Sequence, residues 1–382
     1  MSYLTQLTLQ NFRCYEQARL EGVDAGLIVL CGPNGAGKTN ILEAVSLLTP
    51  GRGLRGVSAM EMQRYDSPNV WGISGKVVTD GGEVTLGTGL SAENGRRIIR
   101  INGVDAKSQM ALSDYISCLW LTPQMDRLFI DAAGGRRRFL DRLVFTFDAG
   151  HSGRVTRYEN AMRQRSRLLQ DEKSKPDPKW LEALEAQMAE TGVAIAAARL
   201  DFAIRLQNSC NQTDKTEESF FPRARLKIKG TIEELLHNTP ALEVEKLFAY
   251  QLQQSRTQDS VSGGAATGPH KSDLSVVYDA KNIQAAHCST GEQKALLIGL
   301  ILAHGRMVAA ERGAPPVMLL DEIAAHLDED RRKALFDRLQ SMGGQVWMTG
   351  TDPVLFSCVA DKAQFFDIDS AQILARKTME AA

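Results

Sequence analysis

Residues 3–12, YLTQLTLQNF, roughly alternate apolar and polar positions, the period of a strand with one buried face. GLIVLCG (26–32) is apolar almost throughout, as a strand covered on both faces of a parallel sheet would be. The spacing then predicts a helix from Lys38 to about Leu48, stopped by Pro50. Between Val70 and Ile101 come short β-rich runs, VWGISGKVV, EVTLGTGL and RRIIRIN, and Asn102–Gly103 marks a turn at their end. The texture changes near Gly134. Residues 136–179 hold twelve Lys/Arg against six Asp/Glu and read as helix, polar linker (DEKSKPDPKW) and helix. From Trp180 to about Leu206, apolar residues Leu181, Leu184, Met188, Ile195, Leu200 and Ile204 recur at roughly helical spacing. DSVSGGAATGPH (259–270) has the composition of a flexible loop. Strands return with PPVMLLDE, GQVWMTG and AQFFDI. This pattern predicts an α/β unit built from residues 1–125 and 236–382, interrupted by a helical arm over 126–235.

Size agrees with two units, since 382 residues exceed what one hydrophobic core usually serves. With 43% hydrophobic, 24% charged and 6% aromatic residues the composition is that of a soluble globular protein. A net charge of −1 means that any nucleic-acid contact must come from a local patch. Cys14, Cys31, Cys118, Cys210, Cys288 and Cys358 are scattered without a C-x-x-C pair, which suggests neither zinc site nor disulfide framework and fits a reducing cytoplasm. The N-terminus lacks a basic segment followed by an apolar one, and the longest apolar runs fall short of the ~20 residues that span a bilayer. The expectation is a soluble, cytoplasmic protein with no membrane partner.

The chemistry begins with GPNGAGKT, Gly32, Pro33, Asn34, Gly35, Ala36, Gly37, Lys38 and Thr39, a complete G-x-x-x-x-G-K-[ST] between a predicted strand and a predicted helix, with Asn40 just beyond. Its glycines let consecutive N–H groups face an anion, and the helix start adds partial positive charge. Lys38 is expected on the β- and γ-phosphates of ATP and Thr39 on Mg²⁺. Downstream, VMLLDE ends an apolar strand in two acids: Asp321 is expected to hold Mg²⁺ and Glu322 to polarise the attacking water. A GTPase would need [NT]-K-x-D after a strand, and SKPD (174–177), inside a charged linker, does not serve.

STGEQK (289–294), opening an apolar helix before the Asp-Glu strand, resembles the signature of ABC-type ATPases. In that class the signature serves the nucleotide of a second copy packed head to tail, so Ser289, Gly291 and Lys294 are expected at the ATP of a partner. The plainer reading, a capped core helix with Ser289 or Thr290 as cap and Glu292 or Gln293 in its first turn, holds at the same time. AAHLD (324–328) resembles the loop that crosses such a dimer interface, and Gln124 in LTPQMD is the candidate for the glutamine that senses Mg²⁺ and the γ-phosphate. The switch histidine expected after the next strand is missing; VWMTGTDP offers Thr349 and Thr351 there. Slow hydrolysis, suited to a timer, would follow.

LTLQNFRCY, GPNGAGKTNILEA, GRGLRG, RRRFLDRL, GPHKSDL, STGEQKALL and VMLLDEIAAHLD, in this order from about residue 4 to 355, together resemble the RecF family, relatives of the structural-maintenance-of-chromosomes proteins. The resemblance implies an α/β ABC-type P-loop ATPase head (lobe I) with an inserted helical arm (lobe II). It further implies ATP-dependent dimerisation on DNA, weak DNA-stimulated ATP hydrolysis, and action at junctions of single- and double-stranded DNA, where with RecR and RecO such a protein helps load RecA onto gaps. It also places Arg13 of NFR near the nucleotide. DNA contact would be sequence-independent and backbone-directed, with Arg52 and Arg55 of GRGLRG and Arg163, Arg165 and Arg167 of the arm as candidates; Arg136 to Arg138 would instead cap contacts between arm and head. Two alternatives share the head motifs. A transporter ATPase subunit would need a permease-docking region and normally the switch histidine, and a chromosome tether would need hundreds of residues of heptad coil.

Overall fold

The computed structural model describes residues 2–171, 177–212 and 220–376, so 172–176 of the expected linker lie outside the described residues. In chain order its elements are β1 (Tyr3–Phe12), β2 (Tyr15–Glu21), β3 (Leu27–Cys31), α1 (Lys38–Ser46), β4 (Gly72–Thr79), β5 (Gly82–Leu90), β6 (Arg97–Ile101), β7 (Val104–Asp105), β8 (Cys118–Leu121), α2 (Ala133–Phe145), α3 (His151–Gln170) and α4 (Pro178–Asn211). There follow β9 (Ala224–Lys229), α5 (Thr231–Leu236), α6 (Ala241–Gln254), α7 (Arg256–Ser262), β10 (Asp273–Tyr278), β11 (Ile283–Gln284), α8 (Thr290–Arg312), β12 (Val317–Leu320), α9 (Glu329–Ser341), β13 (Val346–Gly350), β14 (Ala363–Asp369) and β15 (Gln372–Arg376).

Two compact units divide the chain. One takes Met1–Asp126 and Ile301–Ala382, the other Arg127–Asp214 and Phe221–Leu300. The second unit therefore runs on well past 235, where the sequence pattern places its end. Strand pairing is the reason: β9 joins β10 in antiparallel register, Ala224 against Tyr278 and Lys229 against Asp273, and so holds everything between them in the same unit. Val244, Phe248 and Leu252 of α6 complete the packing by burying against Tyr158, Met188, Val193 and Ala196.

The first unit carries two sheets. One has the order β15-β14-β3-β13-β12-β8, parallel throughout except for β15. Its central strands β3, β12 and β13 are buried at every residue, which is why their sequences are apolar without alternation, Thr349 of β13 apart. The other sheet, β2-β1-β4-β5-β6-β7, is antiparallel, and β1 alternates in burial, with a register shift between Leu4 and Gln6. Leu7, Leu9, Ile73, Val77 and Leu86 from this sheet share one core with Ile28, Leu30, Leu319 and Trp347 from the other and with Ile41, Leu42 and Val45 of α1. Each such aliphatic side chain contributes roughly 1.5–3 kcal/mol by leaving water, so α1 is seated firmly on the strands that carry the chemistry.

In the second unit, α4 begins with Asp177 accepting from Lys179 N–H and Pro178 in the first turn, a strong start signal, and runs to Asn211. The segment 259–270 differs from the flexible loop that its composition suggests. Its first residues close α7, and Asp259 is fully buried, accepting from Arg165, from Ser255 Oγ and from Ala266 N–H. A carboxylate with that many donors pins the backbone on both sides of it. The 23-residue helix α8 is long and apolar enough to cross a bilayer by composition, yet 72% of its apolar window is buried within the protein. It is a core helix whose apolar faces are covered by protein.

Candidate functional site

In the first unit three neighbouring strands end side by side. The order β3-β13-β12 brings the ends of the strands carrying the phosphate loop and the acid pair to the same carboxyl edge of a parallel sheet, where open α/β sheets place their ligands. The loop leaves β3 at Gly32, whose φ is +154° and where a Cβ would lie 1.9 Å from the carbonyl oxygen of Ile368. It re-enters helix at Gly37, φ +113°, where a Cβ would meet the Tyr15 hydroxyl at 2.5 Å and Cys14 Sγ at 2.9 Å. Both positions thus demand glycine. Pro33, Asn34 and Gly35 form an exposed crown, while Ala36, Gly37 and Lys38 are buried and Thr39 and Asn40 half-buried.

Lys38 curls back on its own loop, donating from Nζ to the carbonyls of Gly32 (2.6 Å) and Pro33 (2.8 Å). Burial lowers its pKa, against which the carboxylates of Glu322 and Asp321 work. These carbonyl contacts are replaceable, and an incoming phosphate is a better partner for the ammonium. Thr39 Oγ1 donates to both oxygens of Asp321, at 2.9 and 3.1 Å. Asp321 is 7% exposed and its pKa is raised by that burial, with the hydroxyls of Thr349 and Thr39 pulling the other way. A threonine hydroxyl in contact with a buried carboxylate is an all-oxygen donor pair, and magnesium is bound through one or two such groups with substrate phosphates supplying the rest. The residues fit the ion; no cluster of three or more His, Cys, Asp or Glu side chains occurs among the described residues. Glu322, the next residue, is half-buried with φ +51° at the strand end.

Beside the loop, Glu43 of α1 is fully buried and bound by two arginines. Arg13 donates from Nε and Nη2 to Glu43 at 2.8 and 2.7 Å and from Nη1 to the carbonyl of Glu61. Arg55 donates from Nη1 to Glu43 and to Asn40 Oδ1, each at 2.9 Å. Arg13 therefore stands at the phosphate-loop helix through Glu43. Arg55, expected on DNA, shares its charge with Glu43 but stays exposed, as Arg52 does, so neither guanidinium is closed off from solvent. Sequence reasoning passed over Glu43, although a lone acid among Ile41, Leu42, Ala44 and Val45 signals a buried charge that must have a partner. Arg97 was passed over too: it donates to the carbonyls of Leu47, Thr49 and Gly51, closing the end of α1, and burial lowers its pKa to about 10. Gln124 is exposed in the 3-10 turn Pro123–Arg127, three residues beyond β8, the strand that pairs with β12.

In the second unit, Ser289 and Thr290 are exposed at the start of α8 and Gly291 is half-buried. Ser289 N–H and Oγ donate to Glu292 Oε2 at 2.9 and 3.0 Å, and Ser289 Oγ accepts from Glu292 N–H at 3.4 Å, a reciprocal cap. The Lys281 ammonium and then Ser289 lower the pKa of Glu292 to about 2. Lys294 departs from expectation. It is 6% exposed, one turn into the helix, and so does not share the open face of Ser289.

The arm arginines divide. Arg163 and Arg167 are exposed on α3. Arg165, expected with them as a DNA contact, is 1% exposed and donates to Glu185 (2.9 Å), Asp259 (2.8 Å) and the carbonyl of Leu252 (2.6 Å). It faces inward because alternate positions of a helix point to different sides, and its guanidinium is consumed by structure. Arg136 and Arg137 likewise bond within this unit: Arg136 to both oxygens of Asp273 at 2.7 and 2.9 Å, Arg137 to the carbonyl of Ser272 at 2.8 Å.

Phosphate loop, paired acids at the end of the next strand but one and a capped signature helix define an ABC-type P-loop ATPase head. A family model described as the RecF/RecN/SMC N terminal domain matches residues 3–366. A DNA replication and repair protein RecF of Rhizobium rhizogenes is 46% identical over 368 residues, 96% of either chain, and one of Mesorhizobium japonicum is 44% identical over 375 residues, 97% of either. The chain belongs to the RecF family. Its fold is similar to a solved structure of the recombination mediator protein RecF with bound ATP analogue in the RecFOR pathway, at a TM-score of 0.85 and 24% identity over 98% of each chain. An Smc head domain from Pyrococcus furiosus matches more loosely, with a TM-score of 0.54 and 16% identity over 98% of this chain and 96% of that one.

Proposed function

We propose that this chain is an ATP-gated DNA clamp that acts in recombinational repair of single-strand gaps and stalled forks. Two copies pack head to tail, each nucleotide held by the Lys38 loop of one copy and closed by Ser289 and Gly291 of the other. The observation that carries this reading is the signature helix start: Ser289 is exposed, its hydroxyl held by a cap on its own helix, and a helix N-terminus with an outward hydroxyl suits a phosphate of a second molecule. Membership of the RecF family supports the DNA role and removes the transporter reading.

Within each copy the residues divide the work. Lys38 leaves the carbonyls of Gly32 and Pro33 to take the β- and γ-phosphates. Thr39 and Asp321 would hold Mg²⁺, which when bound neutralises phosphate charge. Glu322 orients the water, and Gln124 links the end of β8 to the same phosphate. With a threonine at 351 in place of a histidine, hydrolysis is slow and times release. Pairing doubles the exposed cations of each unit, Arg52 and Arg55 in the first and Arg163 and Arg167 in the second, for sequence-independent contact with single- and double-stranded DNA and their junctions. RecR and RecO are the partners through which RecA is then loaded.

Sedimentation velocity of the chain with ATP, Mg²⁺ and duplex DNA tests the reading. The wild type should shift to the dimer only when nucleotide is present, and Lys38→Arg should stay monomeric. A wild type that remains monomeric with all three present overturns the clamp.

A further inference from the structure

We propose that Thr349 is a positioning residue of the ATPase, one buried hydroxyl that orients both acids of the site at once. The inference rests on the reading of Asp321 and Glu322 as the magnesium-holding and water-orienting acids. Thr349 is the fourth residue of β13 and is 0% exposed. Its Oγ1 donates to Asp321 Oδ1 at 2.8 Å and accepts the backbone N–H of Glu322 at 2.8 Å. A hydroxyl has a single hydrogen, so that hydrogen is committed to Asp321 while a lone pair holds the next residue in the chain.

Register explains how one side chain reaches both. In the parallel pairing, Met348 lies beside Leu320 on one side, and Thr349 lies beside Leu30 on the other. Thr349 is therefore level with the first residue beyond β12, which is Asp321. There the backbone turns sharply, with Glu322 at φ +51°, a left-handed conformation that a glutamate rarely adopts without support. The bond from Glu322 N–H to Thr349 is one such support, and it fixes the direction in which the glutamate leaves the strand. Asp321 has a second hydroxyl donor in Thr39, but Thr39 is itself a candidate magnesium ligand. Thr349 is the donor to Asp321 with no duty toward the nucleotide.

The two threonines left open by the missing histidine thus separate. Thr351 is exposed, whereas Thr349 is sealed below the acids. Outer partners of metal-holding side chains commonly change metal affinity by about 10- to 100-fold when removed.

The test compares Thr349→Val, which keeps the volume and removes the oxygen, with Thr349→Ser, which keeps the oxygen. Binding of a fluorescent, slowly hydrolysed ATP analogue to the full chain is titrated in EDTA and over a range of magnesium, with thermal midpoints recorded alongside. Thr349→Val should bind the analogue in EDTA within about twofold of wild type and need about tenfold more magnesium to reach half of the magnesium-dependent tightening. Thr349→Ser should match wild type. An unchanged magnesium response in Thr349→Val overturns the proposal, as does a folded Thr349→Ser with a weakened one. Equal loss with and without magnesium would also overturn it, assigning Thr349 a purely structural role. Failure of the wild type itself to respond to magnesium would instead sink the reading of the two acids.

Discussion

The strand ends of the first unit and the core of the second treat charge in opposite ways. In the first, the polar residues at the strand ends hold one another by bonds that a ligand can take over: Lys38 on two loop carbonyls, Thr39 on Asp321. In the second, buried arginines are locked by carboxylates that leave nothing for a ligand. Arg165 is held by Glu185 and Asp259, and Arg199 by both oxygens of Asp141, which also contacts His151. The most distinctive motifs of the chain answer each other there. RRRFLD supplies Arg136, Arg137 and Asp141; GPHKSDL supplies the carbonyls of Pro269 and Ser272 and the carboxylate of Asp273 that receive Arg199, Arg137 and Arg136. Distinctiveness of a motif therefore says little about whether it binds anything. What separates a site from a scaffold is whether its polar partners can be exchanged.

The largest effect that bears on this contrast is on stability. Arg165→Met leaves Glu185 and Asp259 buried without their central cation, and breaking such a cluster costs about 3–5 kcal/mol. Lys38→Met releases two carbonyls beside solvent and should cost far less. Chemical denaturation of the two variants checks the difference. Comparable stabilities would erase the distinction between a scaffold arginine and a site lysine.

The extent to which this was legible follows the same line. Lys38, Thr39, Asp321 and Glu322 stood out because phosphate chemistry demands particular residue types at fixed spacing, and strands β3, β12 and β13 because burial on both faces leaves a run that is apolar but for Thr349. The direction of an arginine on α3 was not legible. Arg163, Arg165 and Arg167 look alike in a basic stretch, and only the burial of Glu185 and Asp259, 20 and 94 residues away in sequence, turns Arg165 inward. The end of the second unit escaped for a similar reason. It depends on β9 finding β10 across three helices, a long-range pairing with no local signal. Glu43 was legible in principle, as an acid in an apolar helix, but its two arginines come from loops on either side of it.

A smaller effect concerns pH. His270 of GPHKSDL bonds Tyr158 through Nδ1 at 2.7 Å and the carbonyl of Ala265 through Nε2 at 3.0 Å, and burial lowers its pKa to about 4. Unfolded, the same ring takes a proton near its ordinary value of about 6.5. Between those values the unfolded chain binds the extra proton, so stability is present above about pH 6.5 and declines as pH falls toward 4. The loss should be on the order of 2 kcal/mol between pH 7 and pH 5. His270→Gln should flatten that part of the profile measured by thermal or denaturant unfolding. A profile of the same slope in the variant would mean that the titrating group lies elsewhere.

The smallest effect decides whether the arm has any free charge for DNA at all. Arg163 and Arg167 are exposed; Arg163 makes only short-range bonds to its own helix, to the Glu159 carbonyl and Asn160 Oδ1. Replacing both by glutamine should leave unfolding within about 0.5 kcal/mol of wild type, as surface changes do. If each arginine neutralises one phosphate, the slope of log affinity against log salt on duplex DNA should fall by about 0.9 per arginine, about 1.8 for the two, doubled to about 3.6 in a clamp of two copies that uses all four. Arg165→Met cannot share this signature. Its guanidinium never meets solvent in the folded unit, so any loss of DNA affinity must arrive together with loss of stability and with little change of slope among molecules still folded. A pair of exposed variants with an unaltered slope would remove the arm from the DNA surface, leaving Arg52 and Arg55 in the first unit as the cations that remain to be tested.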